Sequence, residues 1–315
     1  MNGYDRIDMV ADLDPVAAVR DRELGERIQE YPKLFPAGSP DFGFAVQSGT
    51  SWRIGSVGTS DPESARRSLA AHLRRSVAEQ DPAPDLARVM MDAAGRMDPE
   101  EGDQLAKDEW EIGERRYRVI RIERFTLIGG GAMEPPRSTD TDPCGPTLLR
   151  DHPIEPLAPA GHWETQLRLN LVGFRPIPGT VPEIVQTEAV HAIRSHPGVI
   201  LLPPTFTVVE IQDDGAWQPF TGGDGPGEVR DNLAAHFTQL MPLIRFHQGN
   251  PASEAELAEW ERAAQEITAT DGYEFAALGR RFRTVRVSRM MRLGRDGPEG
   301  PRPSDQERYG EPATR

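Results

Sequence analysis

The feature that most constrains this chain is that much of it is written twice. Residues 109–140 align with 274–305 at a constant offset of 165 without a gap, and 11 of the 32 positions are identical. Six of those identities are arginines: Arg115/Arg280, Arg116/Arg281, Arg118/Arg283, Arg121/Arg286, Arg124/Arg289 and Arg137/Arg302. Upstream, 61–75 matches 225–239 at an offset of 164, including the run Leu69-Ala70-Ala71-His72 against Leu233-Ala234-Ala235-His236. Further up, Trp52 matches Trp217 and Phe42 matches Phe206, in the same order. A chain of 315 residues, about two average domains long, is therefore read as two tandem copies of one unit. The copies span 14–140 and 164–305, with an N-terminal tail over 1–13, a Pro-rich linker over 141–163 and a disordered tail over 306–315. Seven prolines between 129 and 163 fix φ and remove donors, which favours an extended segment there.

Each copy reads αββααββ. Asp14 before Pro15 opens a helix that Pro32 ends, and a second starts near Pro182 and ends at Pro197. Alternating strands follow, Phe42–Val46 into Trp52–Ile54, and Phe206–Ile211 through Asp214-Gly215 into Trp217. Ser60 with Glu63 fits a capping box, and Ala65, Leu69, Leu73 and Val77 recur at i+4. In the second copy Asp224 is the expected cap, with Val229, Leu233, Phe237 and Met241 in phase. A third helix carries Leu86, Val89, Met90, Ala93 and Met97, matched by one that starts at Ser253 and Glu256 and carries Leu257, Trp260, Ala264 and Ile267. A hairpin closes each copy, with a long strand near 116–127 in the first. Leu167, Leu169 and Leu171 alternate with polar residues and predict one extra strand over 166–172. Short turns between strands imply antiparallel sheets with helices on one face. The fold class is thus α+β, with the two copies related by a pseudo-twofold axis.

Charge narrows the function. Asp plus Glu number 50 against 36 Lys plus Arg, a net of −14, which disfavours nucleic-acid and anionic-lipid partners. Each half carries half of it: 1–150 hold 27 acids and 20 bases. The single cysteine, Cys144, excludes an internal disulfide and a multi-Cys zinc site. No run approaches the ~20 apolar residues of a membrane helix, and the acidic N-terminus lacks a signal-peptide core. A cytoplasmic location without a cofactor is the expectation.

The candidate ligand-binding residues are Arg121, Arg286, His72 and His236. Arg121 and Arg286 share a strand face with core-like residues, and a guanidinium there suits phosphate or carboxylate, or an internal ion pair. Eight acids in 98–114 and seven in 254–274 supply internal partners. The histidines border an apolar stripe, where an imidazole serves as acid, base or ligand, or simply packs. No HExxH, P-loop or GxSxG element occurs, and Gly222–Gly227 is only a Gly-rich turn before a helix. No acid–base–nucleophile set is among the shared residues. A non-catalytic binding or interaction protein, with an unknown protein or a small anion as partner, is therefore the leading reading. The alternative is an enzyme or small-anion-binding protein with its pocket between the copies.

The pattern Gly-x-Arg-Phe-Arg-x-x-Arg over 279–286, followed by Gly-Pro-Glu-Gly-Pro-Arg-Pro-Ser-Asp over 297–305, resembles an uncharacterised family of GC-rich actinobacteria catalogued as a domain of unknown function. A weaker copy lies at 113–121 and 134–140, and Gly130-Gly131-Ala132-Met133 departs from the pattern. The resemblance covers most of both halves. It implies a bacterial cytoplasmic protein and assigns no activity or site residue.

Overall fold

The computed structural model describes residues 1–98, 107–143 and 149–306. Cys144 and most of the expected C-terminal tail lie outside the described residues. In chain order the first half holds α1 (Pro15–Glu30), β1 (Lys33–Pro36), β2 (Asp41–Ser48), β3 (Ser51–Thr59), α2 (Pro62–Gln80) and α3 (Pro84–Met97). It closes with β4 (Glu109–Ile112), β5 (Arg115–Gly129) and β6 (Ala132–Met133). Then come β7 (Pro153–Ile154), α4 (His162–Val172), α5 (Glu183–Ser195), β8 (Gly198–Ile211), β9 (Trp217–Gly223) and α6 (Pro226–Ala235). The remaining elements are α7 (Met241–His247), α8 (Glu254–Ala269), β10 (Glu274–Ala277), β11 (Arg280–Gly294), β12 (Gly297–Pro298) and α9 (Pro303–Gln306).

The strands form one sheet in the order β7-β3-β2-β5-β11-β8-β9, and every ladder is antiparallel. The fold is α+β, as the short turns imply. The long strands β5 and β11 meet at the centre, where Arg124 lies opposite Arg289. Tyr117 and Phe125 of β5, with Phe282 and Met290 of β11, face the helices. Leu69 and Leu73 of α2 and Met90 of α3 pack beneath Tyr117. Val229 and Leu233 of α6 and Trp260 of α8 pack beneath Phe282, and Leu24 of α1 with Leu167 and Leu171 of α4 cover Phe125 and Met290. Ile120, Ile122, Met291 and Leu293 face the other way, into a cluster with Trp52, Leu149 and Ile154. Burying each such side chain stabilises the fold by about 1.5–3 kcal/mol, so the sheet is held from both faces.

Several local expectations shift. Asp14 caps α1, as its position predicts, accepting from Val16 N and Ala17 N. The cap of α2 is Asp61 rather than Ser60; its carboxylate accepts from Ser64 N and Ser64 Oγ. The Ser253/Glu256 capping box is present. The expected extra strand over 166–172 is corrected to the helix α4. Leu167 and Leu171, four apart, both reach the core while Leu169 points out. Arg168 is buried with them, donating to Val199 O and Pro156 O. The alternation of leucines fits both periods, and packing decided for the helical one. The helix matching α2 is broken: a π-turn over His236–Leu240 separates α6 from α7. Pro242, one turn on, has no N–H to donate to Thr238 O, so the ladder must slip there.

The Pro-rich segment is more than a spacer. Leu149, Ile154 and Ala160 are buried, and Ile154 pairs with Trp52. The N-terminal segment lies against it: Val10 N donates to Ala160 O, and Ala160 N to Asp8 O.

Candidate functional site

Arg121 and Arg286 lie on the helix side of the sheet, each inside a closed ion network. Arg121 donates to Glu123 and, through Nε at 2.8 Å, to Asp305. Arg302 donates to Glu299 at 2.7 Å and to Glu123 at 3.1 Å. At the second position, Arg286 donates through Nε to Asp140 at 3.0 Å and through a terminal nitrogen to Ser288 Oγ, while Arg137 donates to Glu134 at 2.6 Å. The partners cross between halves. Residues 299–305 dock on β5, where Arg121 N donates to Glu299 O; residues 134–140 dock on β11, where Arg286 N donates to Glu134 O. Both docked segments are clamped by a helix carboxylate, Glu23 of α1 and Glu188 of α5. Glu23 accepts from Ser138 N, Thr139 N and Thr139 Oγ1, and Glu188 accepts from Ser304 N and Ser304 Oγ.

The two networks differ in charge. Burial disfavours the Arg121 cation, yet Glu123, Asp305 and Glu299 outweigh it and push its pKa up. Arg286 goes down, from burial first and then the neighbouring Arg137, because Ser288 stands where the first network has Glu123.

His72 belongs to a different place. It lies on α2 with its ring 5.2 Å from that of Phe44 and 6.2 Å from Tyr117. Its other side lines a cleft of about 420 Å³ with Arg53, Arg75, Arg115 and Arg150, the carboxylates Glu79 and Asp151, and the hydroxyls of Ser48, Ser51 and Ser76. Arg53 donates to Asp151 O at 2.8 Å. Arg75, Arg115 and Arg150 have no ion-pair or hydrogen-bond partner for their guanidiniums among the described residues. Burial, then the charges of Arg150, Arg115 and Arg75, hold the His72 imidazole below its usual range. An NMR pH titration is therefore expected to find His72 neutral at pH 7, with a pKa below the ordinary value of about 6.5; a midpoint above it would contradict the geometry. Four cations against two carboxylates, around a neutral imidazole, make a concave surface suited to an anion.

His236 sits at the opposite end of the sheet and lines none of this. Its ring packs 4.6 Å from Phe220, which also touches Phe237 and Phe282. Arg280 lies over Phe220 at 4.8 Å and donates through Nε to Glu210 at 2.7 Å. That end is thus filled by aromatic rings and its cation is paired. Arg121, Arg286, His72 and His236 do not converge on one cavity. Arg121 faces the cleft beside β1, His72 faces the one described here, and Arg286 and His236 pack elsewhere.

The Gly-rich turn before α6 is occupied by the chain itself. Asp142 Oδ1 accepts from Gly227 N and Glu228 N at 2.8 and 3.1 Å, the amides a phosphate would use. It also displaces Asp224 from the capping role expected of it; the N-cap residue is Gly225. Among the described residues, no three His, Cys, Asp or Glu are placed to hold a metal ion, and no helix is long and apolar enough to cross a membrane.

Sequence reasoning missed Arg53, Arg75 and Arg150. The first two match Gln218 and Gln239, and Arg150 lies in the segment read as linker, so a search for shared residues passes over all three. Glu23 and Glu188 could have been found, being 165 apart.

A family model described as a family of unknown function, DUF5954, matches residues 14–308. No curated protein and no solved structure matches the chain.

Proposed function

We propose, starting from a chain that belongs to the DUF5954 family of unknown function, that the protein is a non-catalytic cytoplasmic binding protein. In this reading it is a duplicated α+β unit with a pseudo-twofold axis between β5 and β11, and it takes a small phosphate- or carboxylate-bearing anion in the His72 cleft. The duplication is supported by the strand order, which reads outward as β5-β2-β3 on one side and β11-β8-β9 on the other. Arg124 and Arg289, opposite each other at the centre, are 165 apart, and so are Glu23 and Glu188. The cytoplasmic reading rests on the single cysteine, and the non-catalytic one on the cleft hydroxyls of Ser48, Ser51 and Ser76, none of which is hydrogen-bonded to His72 among the described residues.

The observation that carries the anion site is the contrast between the two ends. Arg115 and Arg280 are matched positions. Arg280 has Glu210 beside it; the position matched to Glu210 is Val46, and Arg115 has no ion-pair partner among the described residues. Phe220 fills the second end, and its match is Gly55, which lines the open cleft. One end is neutralised and packed, and the other keeps its cations and its space.

Titration calorimetry of the full chain with inorganic phosphate, pyrophosphate and glutarate tests this. Saturable binding of at least one is expected. Arg115→Gln is expected to weaken it about 10- to 100-fold, the worth of one charge-assisted hydrogen bond. Val46→Glu, which supplies the missing carboxylate, should do the same, while Arg281→Gln at an exposed position of the other half should change nothing. No saturable binding, or binding indifferent to Arg115 and Val46, refutes the proposal.

A further inference from the structure

The two halves differ sharply where their long helices end. The last turns of α2 read Arg74-Arg75-Ser76-Val77-Ala78-Glu79-Gln80, a polar stretch. The matching helix runs on through the π-turn into α7, which reads Met241-Pro242-Leu243-Ile244-Arg245-Phe246-His247 and holds no buried residue. Leu240, Leu243, Ile244, Phe246 and, at the start of α8, Leu257 are 38% to 68% exposed. An ion pair of 3.3 Å between Arg245 and Glu256 ties the first turn of α8 to α7. The π-turn is what turns this face outward. Ile244 lies about two helical turns after the buried Phe237, so in an unbroken helix it would share the inward face. A π-turn adds about one residue, which rotates everything beyond it by about 100°.

Area and charge together select what covers it. Counting roughly 200 Å² for a large apolar residue, the five side chains leave on the order of 500 Å² of apolar surface open. Scattered apolar residues are ordinary, but a patch of this size marks an interface. A stable dimer buries roughly 800 Å² on each partner, roughly 60% of it apolar, which is about the area open here. At a net charge of −14, two copies of this chain repel one another over most approaches. Yet no Asp or Glu occurs from 232 to 253, the stretch that carries α7, although acids make up 50 of the 315 residues. Two α7 faces can meet with no carboxylate between them. The rim carries both signs, Arg245 on α7 and Glu254 and Glu259 on α8, so a twofold axis brings opposite charges within reach. A basic partner would have the acidic remainder of the surface to bind and no reason to seek this patch.

We infer that the α7 face is the interface of a homodimer, in which Leu240, Leu243 and Phe246 of two copies pack against one another across a twofold axis. The surface is separate from the His72 cleft, which lies at the other end of the sheet, and does not depend on anion binding there.

Sedimentation of the full chain at roughly 1–100 μM tests this, since interfaces of this size hold at micromolar concentration or tighter. The mass of two chains is expected. Leu243→Glu and, separately, Phe246→Glu should each raise the dissociation constant about 30-fold or more, the loss of a central interface contact. Val89→Glu, at an apolar position of α3 that is 44% exposed, should leave the dimer intact. Added salt should tighten the dimer, because screening weakens the repulsion between two acidic copies. Both interface positions are exposed in the single copy, and thermal melts establish that the variants fold; if one does not, the other and the salt series decide. A mass other than that of two chains, a dimer that survives either interface variant, one that Val89→Glu also dissolves, or one that salt weakens each overturns the inference.

Discussion

Replacing Arg121 by Met is expected to lower folding stability by about 3–5 kcal/mol, the cost of removing one partner from a buried ion pair. Met keeps much of the stem volume and removes the charge. It leaves Glu123 with Arg302 alone, and Asp305 with only the backbone amide of Arg302. The loss would be read as a shift of the urea midpoint at unchanged slope. Arg302 and Asp305 reach β5 from 180 residues away in sequence, so the variant also loosens the grip of one half on the other. The double variant Arg121→Met, Asp305→Asn should cost less than the sum of the single changes, by about 0.5–3 kcal/mol of coupling. A pH series adds an independent check. Burial pushes the Glu123 carboxyl up, but Arg121 and Arg302 outweigh it and hold it below the usual range. Its contribution is therefore complete above the unfolded value of about 4.3 and is lost as pH falls through the lower folded value. The gap between wild type and Arg121→Met should narrow in that window. A loss under about 1 kcal/mol at neutral pH would mean that the network is solvated decoration, against its burial.

Gly129→Ala is the second large effect, and its cause is contact rather than backbone strain. A methyl there would fall within the van der Waals shell of Glu30 O, the last carbonyl of α1, and of Tyr31 Cα. Backbone cannot swing aside as a flexible side chain can. Overpacking costs about 1–3 kcal/mol, occasionally more, and this site belongs at the upper end. The matched change, Gly294→Ala, should cost less. Its methyl would meet Ser195 O at 2.7 Å and the His196 ring at 2.8–3.1 Å, and the imidazole can turn. Thermal unfolding of both variants gives the order; a Gly294→Ala that is the more damaging would refute it.

Much of the fold was legible because the offsets carry it. Cap, stripe and turn residues recur in both halves, and repetition turns weak local signals into firm ones. Where the halves diverge, legibility drops. Leucines at 167, 169 and 171 have no matched segment to arbitrate between two periods, and only the packing of Leu167 and Leu171 beside Phe125 makes the segment helical. The candidate site fared differently for a related reason. Arg121 and Arg286 stand out in an alignment because both halves need them, and what both halves need is the frame. Arg53 and Arg75 have no arginine counterpart and Arg150 lies in the segment read as linker, and so they escape a search built on recurrence. His72 and Arg115 belong to both sets, being shared in sequence but different in their surroundings.

The crossed docking of 299–305 on β5 has a consequence for synthesis. Arg121 leaves the ribosome 184 residues ahead of Asp305. At roughly 5–20 residues per second, that is an interval of roughly 10–40 s. Throughout it the first half holds a guanidinium destined for burial without one of its two carboxylates. Glu188, which clamps the docking segment, is also still to come for part of that time. The Arg121 network is thus complete only once residue 305 has emerged, so a chain ending upstream of it is expected to leave Arg121 without Asp305, readable as a lower urea midpoint than that of the full chain.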